Sequence, residues 1–187
     1  MPELIAPTAR LHRSWLEARD EWAAGVHQDG SGLHEDDEVE SPEGFQAWVE
    51  RLHREGDRSV PPVGRRVHST YFWMVEDERY LGAIALRHEL TDFLLQVGGH
   101  IGYSVRPSAR RRGLGTWALG AVLPHATALG LQRVMVACVD GNLGSQRVIE
   151  GNGGVLEDIR DSDLGRMRRY WIELEATPNS ETAHTHH

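Results

Sequence analysis

Residues 100–130 constrain the fold most, because three different backbone patterns follow one another there without a gap. "HIGYSV" has the composition of a strand, "RPSARRRGLG" is rich in arginine and glycine, and "TWALGAVLPHATALG" has helical spacing of apolar residues. Glycines let several backbone N–H groups approach one anion, and the dipole of a helix N-terminus also attracts negative charge. This order of patterns therefore predicts an anion site. Arg110, Arg111 and Arg112 would bind the same anion from the side. The alternative is a solvated turn in which the glycines only let the chain bend.

Helix and strand patterns alternate along the rest of the chain and predict a mixed α/β fold. Two amphipathic helices are expected before residue 60, one from Thr8 to Gly25 and one opening at Ser41 and Pro42. "TYFWMVE" and "RYLGAIALRH", separated by two residues, predict a β-hairpin. "RVMVACV" predicts a fully buried central strand, "GSQRVIEGNGG" a short helix, and "VLEDIR" with "MRRYWIELE" a closing antiparallel pair. Pro124 should kink or restart the helix that follows the glycine turn.

The charge balance limits what the chain binds. It has 28 acidic and 20 basic side chains and a formal net charge of −8, so we expect no nucleic-acid partner. An acidic field favours cationic substrates such as amines. The acidic segment "QDGSGLHEDDEVESPEG" between the first two helices is expected to be a solvated surface loop.

Cysteine content and hydropathy indicate the compartment. The single cysteine, Cys138, excludes an internal disulfide and fits a reducing compartment. The N-terminus has no signal-peptide pattern and no apolar run reaches the length of a membrane span. We therefore predict a cytoplasmic protein that does not associate with membranes.

The letters "GLGTWA" also fit the dinucleotide fingerprint G-x-G-x-x-G/A, with Asp140 placed after the next strand as a ribose-binding acid would be. In that fold the glycines lie directly at the end of the first strand, whereas "RPSARRR" intervenes here and a hairpin comes first. A Walker A loop is excluded because no Gly-Lys-Ser/Thr follows. A dinucleotide-dependent oxidoreductase is thus the weaker alternative.

Two spaced motifs resemble those of the GCN5-related N-acetyltransferase (GNAT) superfamily. "VRPSARRRGLGTWAL" resembles its motif Gln/Arg-x-x-Gly-x-Gly/Ala between a strand and a helix, with Arg110, Gly113 and Gly115 at the matching positions. "NLGSQRVIEGNGG" resembles the second signature, Asn-x-x-Ala/Ser followed by an apolar residue, Glu and Gly. The resemblance covers about residues 70 to 174 and extends to a bacterial group of predicted acetyltransferases without an assigned acceptor.

The resemblance implies an α+β fold with a central, mostly antiparallel, twisted sheet of about six to seven strands. The sheet would be splayed at the cofactor site and flanked by about four helices. One acetyltransferase domain is expected over residues 1–176, with N-terminal helices and acceptor-side loops in 1–69 and the cofactor-binding core in 70–176. Residues 177–187 are expected to be a flexible tail. Trp15, Trp22 and Trp48 are expected to wall the acceptor cleft, or else to pack in the core.

The resemblance further implies acetyl-CoA as cosubstrate, with its pyrophosphate at backbone N–H groups in the glycine turn, and no metal. Tyr103 and Val105 would pair their backbone with the pantetheine arm, and Asn142 would bind the arm from the other side. The alternatives are ordinary core positions for the first two and a turn residue for Asn142. The complete set of implied cofactor-binding residues is Tyr103, Val105, Arg110, Arg111, Arg112, Gly113, Leu114, Gly115, Thr116, Asn142 and Ser145.

The implied reaction is direct attack of an amine on the thioester in a ternary complex, without an acyl-enzyme. The Val105 N–H would stabilise the oxyanion. His100 is the favoured catalytic base because imidazole titrates near neutral pH. Glu89 and Asp92 are the alternatives, and all three can equally be structural. Cys138 is expected to be a buried, inert thiol.

The chain departs from the family pattern at Ile149, where many members have a tyrosine that protonates the leaving thiolate. Either Ser145, one helical turn earlier, relays a proton, or no side chain does. A non-catalytic acyl-CoA-binding protein on the same fold is therefore a second alternative. The acceptor, a small-molecule or peptide amine, and assembly as a homodimer stay open.

Overall fold

A hairpin of two long strands forms the centre of the first sheet. The structure, a computed structural model, describes residues 1–175, so the predicted tail over 177–187 lies outside the described residues. The strands are β1 (Glu3–Ile5), β2 (Ser69–Glu76), β3 (Arg79–Arg87) and β4 (Ile101–Val105), in that order and all antiparallel. The predicted hairpin is confirmed. Its two-residue turn, Asp77 and Glu78, has φ values of 50° and 59°, as a turn that matches strand twist requires.

Three further strands form a separate sheet. They are β5 (Arg133–Val139), β6 (Val155–Ser162) and β7 (Gly165–Glu173), in the order β5-β7-β6 and again antiparallel. The predicted closing pair is confirmed. The strand predicted to be fully buried and central does form, with Val134, Met135 and Val136 fully buried, but it is an edge strand of this sheet and Val139 is 49% exposed, because β5 diverges from β4. The part of the chain that the structure describes thus has seven strands in two antiparallel sheets, one of four strands and one of three.

In residues 1–175, four α-helices cover the two sheets. They are α1 (His12–Arg19), α2 (Pro42–Gly56), α3 (Leu114–Ala128) and α4 (Leu143–Glu150). Ser41 caps α2 as predicted, by accepting a hydrogen bond from the N–H of Gly44. The first helix ends at Arg19 and not at Gly25, and the expected restart at Pro124 is wrong, because α3 runs through it without interruption.

Each face of the first sheet carries its own core. α3 and α4 pack on one face with Ile84, Leu86 and Ile101. On the other face, α1 and α2 bring Trp15 and Trp48 within a ring-centroid distance of 5.0 Å. These two tryptophans are 0% and 2% exposed, so they are core residues and do not wall a cleft. The sheet therefore separates the N-terminal helices from α3 and α4.

The two sheets meet at the residue that precedes β4. The N–H of His100 donates to the carbonyl of Met135 on β5 at 2.8 Å, and the N–H of Met135 donates to Nδ1 of His100 at 2.9 Å. Beyond this pair, β4 and β5 belong to different sheets. His100 thus holds the strands together at the point from which they diverge.

The segment after α1 is attached to β4 and the turn beyond it. The carboxylate of Glu21 accepts hydrogen bonds from Nε of buried Arg106 at 2.7 Å and from the N–H of Ser108 at 2.9 Å. Further on, Gly30 lies so close to Gly102 that a Cβ at Gly30 would be 2.2 Å from the Gly102 carbonyl oxygen. The prediction of a solvated loop is therefore wrong at its start, which packs on the sheet.

We predict that protonation of His100 destabilises the fold in weak acid. Burial, and secondarily the charge of Arg87, lowers the pKa of His100 from 6.5 to about 4. Between these values the unfolded chain binds a proton that the folded chain does not, so the free energy of unfolding falls as pH falls. His100→Asn should remove this dependence, on the order of 3 kcal/mol, since an amide oxygen can accept the Met135 N–H without titrating. Chemical denaturation at about pH 7 and pH 4 measures it.

His100→Leu is the matched control, because leucine offers no acceptor at any pH. It should already lower stability at pH 7 by about 1–3 kcal/mol, the cost of an unpaired buried N–H. Identical pH dependence in the wild-type protein and His100→Asn would show that His100 is not the titrating group.

Candidate active site

A cavity of about 780 Å³ opens where β4 leaves β5. Its lining includes Tyr103 and Val105 of β4, and Ala137 and Cys138 of β5. The starts of α3 and α4 close it on one face of the sheet, and residues from the segment after α1 close it on the other. The cavity therefore connects the two faces of the sheet through the gap between the strands.

The N-terminus of α3 supplies backbone donors. Trp117 N–H makes the first helical hydrogen bond, to the carbonyl of Gly113, so the N–H groups of Leu114, Gly115 and Thr116 precede the helical ladder. Gly113 has φ 77°, a left-handed value that favours glycine. These residues line the cavity, as the anion-site prediction requires.

The three arginines have different environments. Arg110 and Arg111 line the cavity, and Arg111 has a φ of 64°, uncommon for a residue with a side chain. The guanidinium of Arg110 lies 4.7 Å from the ring centroid of Trp22, and its Nε donates to the Val105 carbonyl at 3.2 Å. Arg112 instead donates to Glu76 at 2.6 Å and is not among the residues that line the cavity. The structure thus places two of the three arginines at the cavity.

The edge of β4 that faces the cavity has backbone groups free of the ladder with β3. The N–H of Arg106 donates to Leu81, and the carbonyl of His100 accepts from Arg87, so the even-numbered residues bond to β3. Antiparallel pairing alternates, and Tyr103 and Val105 therefore direct their N–H groups to the open side.

Gly115 is constrained by α4. A Cβ there would lie 3.2 Å from Cγ2 of Val148 and 3.8 Å from Cε2 of Tyr103. A larger side chain would push α4 from α3, so a substitution at Gly115 disturbs packing as well as the cavity. At Gly113 no atom lies within 4 Å of the added Cβ, and there the constraint is the backbone angle.

The first turn of α4 brings the hydroxyl of Ser145 to the phenol of Tyr103 on β4. Asn142 caps the helix by accepting from the N–H of Ser145 at 3.1 Å. The Ser145 hydroxyl lies 2.5 Å from the phenol oxygen of Tyr103, and burial raises the pKa of that phenol above its ordinary value. Ile149, where the family pattern has tyrosine, is fully buried in the core. The cavity therefore has a phenol, but it comes from β4.

Cys138 lines the cavity while only 6% of it is exposed. Burial raises the pKa of its thiol to about 11, so the thiolate is scarce at neutral pH. The placement agrees with the prediction of an inert thiol.

The predicted bases are not brought to the cavity. His100 is 5% exposed, and its Nδ1 already accepts the Met135 hydrogen bond described above. Its lowered pKa makes it a weak proton acceptor near neutral pH. Glu89 and Asp92 are exposed and absent from the lining. The geometry favours a structural role for His100.

Three ionisable residues that line the cavity were not predicted, namely His27, Asp29 and Arg147. His27 directly precedes the segment predicted to be a solvated loop, Asp29 lies within that segment, and Arg147 comes from α4. The available signal was the pair Asp29–Gly30 in "QDGSG", since an Asp-Gly pair marks a turn and so a defined backbone conformation. Trp22 is the one of the three predicted tryptophans that lines the cavity.

The dinucleotide interpretation is wrong. That fold places the glycines directly after a strand of a parallel sheet, whereas all paired strands here are antiparallel and a 3-10 turn, Pro107–Ala109, intervenes. Asp140, the supposed ribose ligand, forms ion pairs with Arg168 at 2.7 Å and Arg166 at 3.3 Å.

Two observations apply only to residues 1–175. None of their helices combines the length and the apolar character needed to cross a bilayer. The same residues contain no group of three or more His, Cys, Asp or Glu side chains arranged to hold a metal ion.

Comparison with known proteins assigns the family. The family model described as acetyltransferase (GNAT) domain matches residues 13–155. No curated protein matches this chain in sequence.

Several solved structures share the fold. RimL, the ribosomal L7/L12 alpha-N-protein acetyltransferase in complex with coenzyme A, is 17% identical with a TM-score of 0.69, over 94% of this chain and 96% of that chain. The ribosomal-protein-S5-alanine acetyltransferase from Vibrio fischeri is 17% identical with a TM-score of 0.67, over 95% and 96%. The microcin C7 self-immunity acetyltransferase MccE, in complex with acetyl-CoA and AMP, is 11% identical with a TM-score of 0.62, over 92% of each chain.

Structures at these identities establish the fold, and the family model covers most of the chain. The glycine turn, the divergent strands and the cavity between them occur where the sequence motifs predict them. This chain belongs to the GNAT acetyltransferase family.

Proposed function

We propose that this protein is an acetyl-CoA-dependent N-acetyltransferase that moves the acetyl group directly to an amine. The observation that carries the proposal is the cavity of about 780 Å³ that crosses the sheet between β4 and β5. Two ligands that enter from opposite faces can meet in the gap, and holding both reactants together supplies a large part of the rate enhancement.

The α3 side of the cavity suits the phosphate-rich cosubstrate. The N–H groups of Leu114, Gly115 and Thr116 and the helix dipole offer anion contacts. Arg110 and Arg111 add positive charge. The open edge of β4 at Tyr103 and Val105 would pair with the amide groups of the pantetheine arm, and Asn142 would bind it from α4. Arg112, held by Glu76, has no part in this proposal.

The transfer then needs stabilisation of charge at two points. The amine nitrogen attacks the thioester carbon, a C–N bond forms, and the carbonyl oxygen becomes negative. The Val105 N–H, which is free of the ladder with β3, would donate to that oxygen. When the C–S bond breaks, the sulfur leaves with the electron pair and needs a proton.

Tyr103 is our proposed proton donor to the leaving sulfur. Its raised pKa keeps the phenol protonated at neutral pH. The hydroxyl of Ser145, 2.5 Å away, would return a proton to the phenol from solvent. Ser145 thus keeps the relay role predicted for it, and Tyr103 takes the place of the helical tyrosine that Ile149 replaces. The proton lost by the amine would leave on the opposite face, where His27 lines the cavity.

The acceptor class is the finer part of the proposal. Two similar structures are named as acetyltransferases that modify ribosomal proteins, one of them at an alpha-amino group. The acceptor is tested with a panel of amines, measuring the release of CoA thiol from acetyl-CoA. The panel contains a peptide with a free α-amino group, lysine, polyamines and small amines. A non-catalytic acyl-CoA-binding protein would bind acetyl-CoA but release no CoA thiol with any member of that panel.

The first prediction of the proposed function concerns ligand choice. Acetyl-CoA at about a hundred times its Kd should stabilise the fold by about 2.7 kcal/mol. For a chain of this size that is a Tm rise of roughly 5–10 °C. Differential scanning fluorimetry measures it, with NAD as the comparison ligand. Protection by NAD and none by acetyl-CoA would overturn the proposed cosubstrate.

The second prediction separates backbone strain from loss of the anion site. Gly113→Val places a branched side chain at φ 77° and beside the cavity. Gly130→Val is the matched control, because Gly130 has φ 87°, also has no atom within 4 Å of an added Cβ, and does not line the cavity. Both variants should lose stability by roughly 1–3 kcal/mol.

Only Gly113→Val should lose the stabilisation by acetyl-CoA, since the added methyl groups occupy the space of the phosphates. Calorimetric titration of both variants measures the Kd. Equal acetyl-CoA affinity in the two variants would show that the phosphates bind elsewhere.

The third prediction concerns Tyr103. Tyr103→Phe keeps the ring that packs beside Gly115 and removes only the hydroxyl, so kcat should fall roughly a hundredfold while the Kd of acetyl-CoA stays unchanged. Thiol release with the best acceptor of the panel measures it. Tyr71→Phe is the control, because that phenol is also buried with a raised pKa but binds Glu55 outside the cavity. Normal kcat in Tyr103→Phe would leave the sulfur to depart as a thiolate unaided.

A further inference from the structure

We propose that the carboxylate of Asp29 binds the ammonium group of the acceptor, so that the acceptor is a cationic amine. This inference rests on the proposed function, because it concerns the second ligand of the same cavity. It names a residue that determines acceptor specificity and lies in none of the sequence motifs.

Asp29 reaches the cavity from the face opposite α3 and α4. On that face Gly102 of β4 has no side chain, and a Cβ there would lie 2.4 Å from Oδ1 of Asp29. The carboxylate therefore sits directly over the backbone of β4. Gly102 directly precedes Tyr103, whose phenol projects to the other face toward Ser145. Asp29 is thus placed beside the gap through which the two faces communicate.

One oxygen of Asp29 is held and the other is available. Oδ1 accepts the N–H of Gly30 at 2.9 Å and lies 3.5 Å from Nη2 of Arg87. Arg87 is itself fixed, since Nη1 donates to the carbonyl of Gly98 at 2.9 Å. Within the described chain, Oδ2 accepts no hydrogen bond, and the side chain is 48% exposed. The carboxylate is oriented in advance with one oxygen free for a ligand.

Charge is divided between the two faces of the cavity. Arg111 and Arg147 line it on the side of α3 and α4, where the proposed cosubstrate carries its phosphates, while the guanidinium of Arg110 lies over the ring of Trp22. Among residues 1–175, Asp29 is the one carboxylate that lines the cavity. A site with cations on one side and a carboxylate on the other suits an anionic and a cationic ligand in those positions.

The glycines at positions 30 and 102 serve this placement. Gly30 has φ 75° and approaches the Gly102 carbonyl so closely that a Cβ at Gly30 would be 2.2 Å from the oxygen. A side chain at either position would lift the segment and its carboxylate away from β4. The close approach therefore determines where Asp29 stands in the cavity.

The test measures binding of three amine probes to the protein saturated with CoA. The first probe is a lysine-free hexapeptide with a free α-amino group. The second is that hexapeptide with its N-terminus acetylated and one residue replaced by lysine, and the third is spermidine. They share the ammonium and differ in its source, so the tightest binder identifies that source. In Asp29→Asn the Kd of that probe should rise about tenfold or more, because the amide keeps an oxygen for the Gly30 N–H but loses the charge. The Kd of acetyl-CoA should be unchanged.

Asp36→Asn is the matched control, because Asp36 is an exposed acid in the same segment and does not line the cavity. It makes the same change in net charge and should leave both affinities unchanged. If Asp29→Asn does not fold, Asp29→Ser is judged by the same criterion, since its hydroxyl can also accept the Gly30 N–H.

Three results would overturn the proposal. The first is unchanged probe affinity in the Asp29 variant, and the second is an equal loss of probe affinity in Asp36→Asn. The third is that the wild-type protein binds none of the three probes. The same titrations without CoA distinguish failure of this proposal from failure of the proposed function. If acetyl-CoA does not bind the wild-type protein, the proposed function fails, while loss of amine binding in Asp29→Asn still supports the role of Asp29.

Discussion

The hydrogen bonds between His100 and Met135 join two sheets that otherwise diverge, and the cavity depends on that divergence. They close the ladder at one end only. Beyond them, the N–H groups of Tyr103 and Val105 face an open gap and not a neighbouring strand. An unpaired strand edge is costly when buried and useful when a ligand supplies the missing partners. This explains why a histidine that looks like a catalytic base by position and by its ordinary pKa is better understood as part of the scaffold.

The N-terminal segment completes the cavity from the other face of the sheet. Glu21 attaches it beyond the end of β4 through Arg106 and Ser108, and Gly30 attaches it near the beginning through Gly102. Between these two attachments the chain passes Trp22, His27 and Asp29 along the gap. The helices α1 and α2 hold this segment from behind, because their tryptophans pack on the sheet and do not face the ligand.

The role proposed for Tyr103 would place on β4 the proton donor that the family pattern places on a helix. Ile149 fills the core beneath α4, while Tyr103 extends from β4 to the first turn of the same helix and contacts Ser145. The cavity thus has a phenol that comes from a strand, and none from position 149. A family motif reports positions along the chain, whereas the reaction requires a proton donor at a place in space.

The sequence by itself determined the features that depend on neighbours along the chain. Two runs rich in aromatic and β-branched residues, separated by two residues, identified the hairpin of β2 and β3. Ser41 with Pro42 located the start of α2, and Gly113 with Gly115 marked the glycine turn before α3. These signals are local because strand propensity, helix capping and left-handed backbone angles act over a few residues. Only the tertiary structure decided that Arg112 turns to Glu76, that His100 binds Met135, and that Asp29 lies over Gly102. Each of these contacts joins residues more than thirty positions apart, and local patterns do not report which distant partner will occupy a given face.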